Sequence, residues 1–116
     1  MLNIAICDDE LLTAQQIEKV VVSEFQNNNV DVNTSIYTSG QELMDELAFN
    51  SFDVVFLDIY MPKISGFNVA KKVRELNSET YIIFVTVKDD LVFDSFDYYP
   101  FQFIRKNTFF ESDISK

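Results

Sequence analysis

A chain of 116 residues, 47% hydrophobic and 24% charged, falls in the size range of one domain with a single core and shows no low-complexity tract, Pro/Gly-rich linker or internal repeat. Nineteen acids against nine bases give a formal net charge of -10, which opposes binding of this piece alone to nucleic acid or anionic lipid. No apolar run reaches bilayer-spanning length and no signal-peptide pattern opens the chain, so a cytoplasmic protein without membrane attachment is expected; one cysteine and no histidine exclude a disulfide or a zinc site.

In chain order, Leu2 to Cys7 reads as a mostly apolar strand, with Cys7 as a small buried hydrophobe. Leu11 to about Asn27 reads as a helix with Ala14, Ile17, Val20, Val21 and Phe25 on one face, ended by a turn at Asn27-Asn28-Asn29. Residues 30–37 alternate, with Val30, Val32, Thr34 and Ile36 on one side and Asp31, Asn33, Ser35 and Tyr37 on the other, which predicts a half-exposed strand. Ser39 and Glu42 form a capping box for a short helix through Leu43, Met44 and Leu47. Val54 to Leu57 is a continuous apolar strand. Ser65 can cap a helix to about Asn77 with Phe67, Ala70 and Val73 inward, and "YIIFV", 81–85, is again an apolar strand. Residues 88–97 look helical, "FQFIR", 101–105, is a short strand, and Thr108 with Glu111 would cap a last helix that the chain barely begins.

Five strands alternating with helices predict an α/β fold, since each parallel pair needs a crossover: a doubly wound five-stranded parallel sheet with helices on both faces. The apolar strands one, three and four belong in the middle and the more polar strands two and five at the edges, which agrees with the order 2-1-3-4-5. Ligands in such sheets bind beyond the carboxyl ends of the strands, where the order reverses. Strand one ends on Asp8 and Asp9, strand three on Asp58, strand four on Thr86, and strand five on Arg105 and Lys106. Carboxylates gathered in a crevice repel one another, and an oxygen-only donor set suits a hard cation, Mg²⁺ above all. That cation would neutralise a transferring phosphoryl group while a lysine ammonium and a threonine hydroxyl address its oxygens, with Asp58 as the acceptor.

The acidic pair in "ICDDE", the acceptor in "LDIYMPKISG" with Met61, Pro62 and Gly66 at matching offsets, the threonine in "FVTV" and the lysine in "FIRK" resemble the receiver domains of two-component response regulators, over essentially the whole chain. The wording "YYPFQFIRKN" is most similar to receivers of LytTR-type (LytR/AlgR-like) DNA-binding regulators. The resemblance implies a flavodoxin-like receiver fold over 1–116, its last helix truncated and its output domain absent from this chain. It also implies that Asp9, Asp58 and the Tyr60 backbone carbonyl bind Mg²⁺ directly, with Asp8 acting through water. A sensor histidine kinase would supply the phosphoryl group to Asp58. Phosphorylation would then draw in Thr86 and move Phe103, shifting a face built from helix four, strand five and helix five. A phosphorylation-dependent homodimer through that face and DNA contact only through the output domain follow from the same resemblance. Such a protein catalyses only its own phosphorylation and dephosphorylation, and Tyr60 and Lys88 occupy the positions linked to phosphoryl lifetime.

Other readings compete. Asp8 and Asp9 could simply cap the first helix, and Thr86, Lys106 and Phe103 taken singly could be a strand residue, a solvated cation and a core aromatic. The aromatics Phe93, Phe96, Tyr98, Tyr99, Phe101, Phe109 and Phe110 are many for a small domain and hint at a partner surface. An aspartyl phosphatase of the haloacid dehalogenase kind needs a second acid two residues after the nucleophile, where this chain has Tyr60. A receiver-like interaction module acting without phosphorylation is the remaining alternative. The resembled family commonly places a cis proline after the strand-five lysine. Here Asn107 stands there, and because a cis non-proline bond costs about 2.5–4 kcal/mol, a trans Lys106-Asn107 bond is expected.

Overall fold

The computed structural model describes residues 1–86 and 101–105, with Thr86 and the last five described as backbone only. In chain order these form β1 (Leu2–Cys7), α1 (Leu11–Asn27), β2 (Val32–Tyr37), α2 (Gly40–Glu46), β3 (Val54–Asp58), α3 (Gly66–Leu76), β4 (Tyr81–Thr86) and β5 (Phe101–Arg105). The strands make one parallel sheet in the order β2-β1-β3-β4-β5, as the apolar ranking of the strands predicts. The helix expected over 88–97, the cap at Thr108 and Glu111, and Lys88, Lys106 and the Lys106-Asn107 bond lie outside the described residues.

Strand alternation sends consecutive side chains to two cores. Ile4 and Ile6 of β1, Phe56 of β3 and Val85 of β4 pack with Ala14, Ile17 and Val21 of α1. Ala5 and Cys7, Val55 and Leu57, and Ile82 and Phe84 face the other way, onto Leu43 of α2 and Val69, Ala70 and Val73 of α3. Each large apolar side chain so buried contributes roughly 1.5–3 kcal/mol relative to exposure, and the central strands carry them on both faces. Helices therefore cover both sides of the sheet, as expected.

Local chemistry sets the element ends. Ser39 accepts the Glu42 N–H at 3.1 Å as the α2 N-cap, while the Glu42 carboxylate accepts from the Thr38 hydroxyl at 2.9 Å. Ser65 caps α3 by accepting the Asn68 N–H at 3.3 Å. β2 starts two residues later than the alternation suggests, because the Val30 N–H is bonded to the Phe25 carbonyl at 2.9 Å at the end of α1, past a left-handed Asn29 (φ 60°). Of the residues expected inward on α1, Val20 is only half-buried and lies outside the α1 core; on α3, Phe67 is half-buried and meets Phe84 edge-on at 5.2 Å. Tyr37, assigned by alternation to the more exposed side of β2, packs edge-on against Phe52 at 6.1 Å. β3 and β4 each run one residue further than the apolar runs, so Asp58 and Thr86 are the last residues of their strands.

Candidate functional site

The sheet brings the carboxylates together by register. β1 and β3 are neighbours with Cys7 opposite Leu57, so the next step along both strands sets Asp8 beside Asp58. Asp8 is fully buried, Asp58 is 5% exposed, and Asp9 is exposed at the mouth. One carboxylate oxygen from each of the three lies within 4.8 Å of the others. This is the strand ending on an acid at the point where the strand order reverses.

The helix-capping alternative for the acidic pair does not hold. The N-cap of α1 is Glu10, whose side chain makes no capping bond, and Asp8 Oδ1 instead accepts the Glu10 N–H at 2.9 Å. That bond fixes one oxygen of Asp8 and the path of the chain out of β1, and neither Asp8 nor Asp9 occupies the cap position.

The segment after Asp58 is held close to the strand end. Gly66 donates its N–H to the Ile59 carbonyl at 2.9 Å, and a Cβ at Gly66 would collide with the Asp58 carbonyl oxygen and come within 2.9 Å of the Ile59 Cα. Only glycine permits that approach, which gives the glycine in the "LDIYMPKISG" pattern a steric reason. Between them, the Ile64 N–H reaches the Pro62 carbonyl at 2.7 Å around Lys63 at φ 68°, a tight three-residue turn in the left-handed region. Tyr60, whose carbonyl was expected to serve as a ligand, lies in this connection with its side chain 45% exposed.

Cys7 is buried, as expected, but its position beneath the carboxylates was not legible from its residue type. Burial, and then the charges of Asp8, Asp58, Glu42 and Asp9, push its thiol up to about 12, so it stays protonated at neutral pH. Thr86 ends β4 one step beyond Val85, the partner of Asp58, and its backbone pairs with Arg105 of β5; Phe103 pairs with Phe84. The strand termini that carry Asp58 and Thr86, and the one that leads to Lys106, are therefore adjacent in the sheet.

Three carboxylates from two neighbouring strand ends form an all-oxygen, anionic donor set of the kind a hard divalent cation satisfies, and a cation there would relieve their mutual repulsion. Mg²⁺ fits this chemistry, and soft-metal ligation does not. No helix among the described residues is long and apolar enough to cross a membrane.

Comparison with known proteins places this geometry in a family. Residues 4–112 match the model of the response regulator receiver domain. The chain is 29% identical over 105 residues to the sensory transduction protein LytT of Enterococcus faecalis, covering 90% of this chain and 42% of that protein. It is 33% identical over 90 residues to the response regulator ArlR of Staphylococcus haemolyticus, covering 78% and 38%. The chain thus spans about two fifths of the length of these curated relatives. Among solved structures, the response regulatory domain of protein mrkE from Klebsiella pneumoniae superposes with a TM-score of 0.83 at 23% identity over 98% of this chain and 89% of that one, a likeness of fold. The BeF3-activated receiver domain of DrrB, a Thermotoga maritima protein, gives 0.73 at 26% identity over 97% and 90%. With the family model matched across nearly all of the sheet and the carboxylates gathered at its switch point, the chain belongs to the response regulator receiver domains, the phosphorylation-dependent switches of two-component signalling.

Proposed function

We propose that Asp58 is the phosphoacceptor of this receiver, in a Mg²⁺-dependent transfer from a sensor histidine kinase. The observation that carries this reading is the convergence of Asp8, Asp9 and Asp58 within 4.8 Å at the carboxyl ends of β1 and β3. Asp9, Asp58 and the Tyr60 backbone carbonyl would hold the cation, with Asp8 acting through water. When bound, Mg²⁺ supplies neutralisation of the charge on the phosphoryl oxygens. The Asp58 carboxylate attacks phosphorus in line; the new O–P bond forms as the P–N bond to the donor imidazole breaks, and its electron pair leaves on the imidazole nitrogen. The Lys106 ammonium and the Thr86 hydroxyl take the remaining phosphoryl oxygens.

Phosphorylation then draws in Thr86 and shifts Phe103 on β5, changing the face formed with the flanking helices and favouring a homodimer. Histidine kinases are the partners of this family. The signal passes to a DNA-binding output domain of the LytTR type, a reading supported by the "YYPFQFIRKN" wording and by LytT among the relatives. Receivers are signalling switches rather than enzymes in the ordinary sense, and the chemistry here is confined to the chain's own phosphorylation and dephosphorylation. Incubation with acetyl phosphate and Mg²⁺ followed by intact mass is the test. One added phosphoryl group, which does not form when chelator is present from the start, is expected; an unmodified chain would favour the alternative, an interaction module that works without phosphate. Light scattering with and without a phosphoryl analogue tests the homodimer, and an unchanged monomer counts against it.

A further inference from the structure

Directly beneath the carboxylates, three separate segments meet at one sulfur atom. Cys7, 1% exposed, is the last residue of β1 and immediately precedes Asp8. Its thiol donates to the Ser39 carbonyl at 3.4 Å, and its Sγ lies 3.6 Å from Met61 Sδ. Ser39 is the N-cap of α2, and Met61, 9% exposed, directly follows Tyr60 in the connection that Gly66 pins against Asp58. An alanine here would surrender both the donor to Ser39 and the contact with Met61, leaving a void under the strand end. A serine would keep the donor but place a shorter, more polar group against the thioether. The sulfur alone spans both neighbours.

We propose that Cys7 is a positioning residue for the cation site: through Ser39 and Met61 it fixes the β1 terminus that carries Asp8 relative to the loop that carries Tyr60. The inference rests on the reading of Asp8, Asp9 and Asp58 as a Mg²⁺ site. Residues that orient first ligands without touching the metal commonly govern affinity strongly, and here the ligand-bearing backbones come from two different strands, so their relative placement is what the thiol controls.

The test is calorimetric titration of Mg²⁺ into the full 116-residue chain and its variants. Cys7→Ala is expected to weaken Mg²⁺ binding by roughly tenfold. Cys7→Ser, which keeps the bond to Ser39, should recover part of the loss, and Met61→Ala should weaken binding in the same direction. Val73→Ala removes bulk from the same core at the far end of the sheet and should lower the melting temperature without moving Mg²⁺ affinity, which separates positioning from general destabilisation. In phosphorylation by acetyl phosphate, Cys7→Ala should raise the Mg²⁺ concentration giving half-maximal rate while leaving the rate at saturating Mg²⁺ unchanged. Wild-type Mg²⁺ affinity in Cys7→Ala, or an equal loss in Val73→Ala, overturns the role of Cys7 while the site reading stands. A wild-type chain that binds no Mg²⁺ overturns the site reading itself.

Discussion

Where the strands of this sheet begin, polar groups are taken up by protein partners. The Thr80 hydroxyl donates to the Phe52 carbonyl at 2.7 Å, the Asp53 carboxylate accepts the Asn3 N–H at 2.8 Å, and the Arg74 guanidinium spans the carbonyls of Asn77, Ser78 and Thr80 at 3.3, 2.9 and 2.8 Å. Where the same strands end, three carboxylates crowd within 4.8 Å of one another. The first end ties these groups to protein acceptors and donors; the second gathers like charges whose repulsion a cation would relieve. On the proposed reading a single sheet separates a stabilising end from a cation-responsive one, so that each should be open to perturbation without the other.

The largest expected effect comes from removing the proposed acceptor. Asp58→Asn should abolish the added phosphoryl mass and, by relieving repulsion from Asp8 and Asp9, raise stability in chelator by roughly 1–3 kcal/mol. Intact mass and thermal melts with chelator check the two halves, and an adduct that persists at another residue would sink the assignment.

Next in size is the steric clamp. Gly66→Ala should cost about 3 kcal/mol or more in urea unfolding, because the new Cβ meets backbone of Asp58 and Ile59. Gly40→Ala should cost less, since its neighbours at 3.0 Å are side-chain methyls of Ile64 and Val69 that can shift. Equal losses would show that the close approach at Gly66 does not constrain the site.

At the other end, Thr80→Val should cost about 1–3 kcal/mol by leaving the buried Phe52 carbonyl unbonded. Its Mg²⁺ affinity should match wild type; a weakened affinity would break the proposed separation of the two ends.

The last effect is confined to alkaline pH. Cys7 titrates near 9 when unfolded and about 12 when folded, so the folded state retains its proton longer. The stabilisation is complete below pH 9 and is lost as pH rises from 9 towards 12. Urea midpoints across that range should fall more steeply for wild type than for Cys7→Val, and parallel slopes would refute the buried-thiol account.

Much of this was legible in the sequence for a definite reason. Apolar runs in strands one, three and four, against the alternating strand two, ranked the strands, and parallel connection through helices then left the acids at strand ends on one edge. Ser39 and Ser65 announced their helices because a capping hydroxyl acts on amides two or three residues away. What failed were features fixed by residues outside the strand concerned. The start of β2 was displaced because a carbonyl at the end of α1 took the Val30 amide. Tyr37 found Phe52, fifteen residues on, and was covered on a side that alternation marked as exposed.

By itself the sequence determined the sheet order and the identity of the three acids, since periodicity and strand-terminal position are local properties of the chain. Only the tertiary structure decided that Asp8 binds the Glu10 amide rather than capping α1, that Gly66 lies against the Asp58 carbonyl, and that Cys7 joins Ser39 to Met61. The last joins segments far apart in sequence, and both it and the Gly66 contact depend on how α2 and α3 pack on the sheet. The first depends on the path the chain takes out of β1, which residue type alone leaves open.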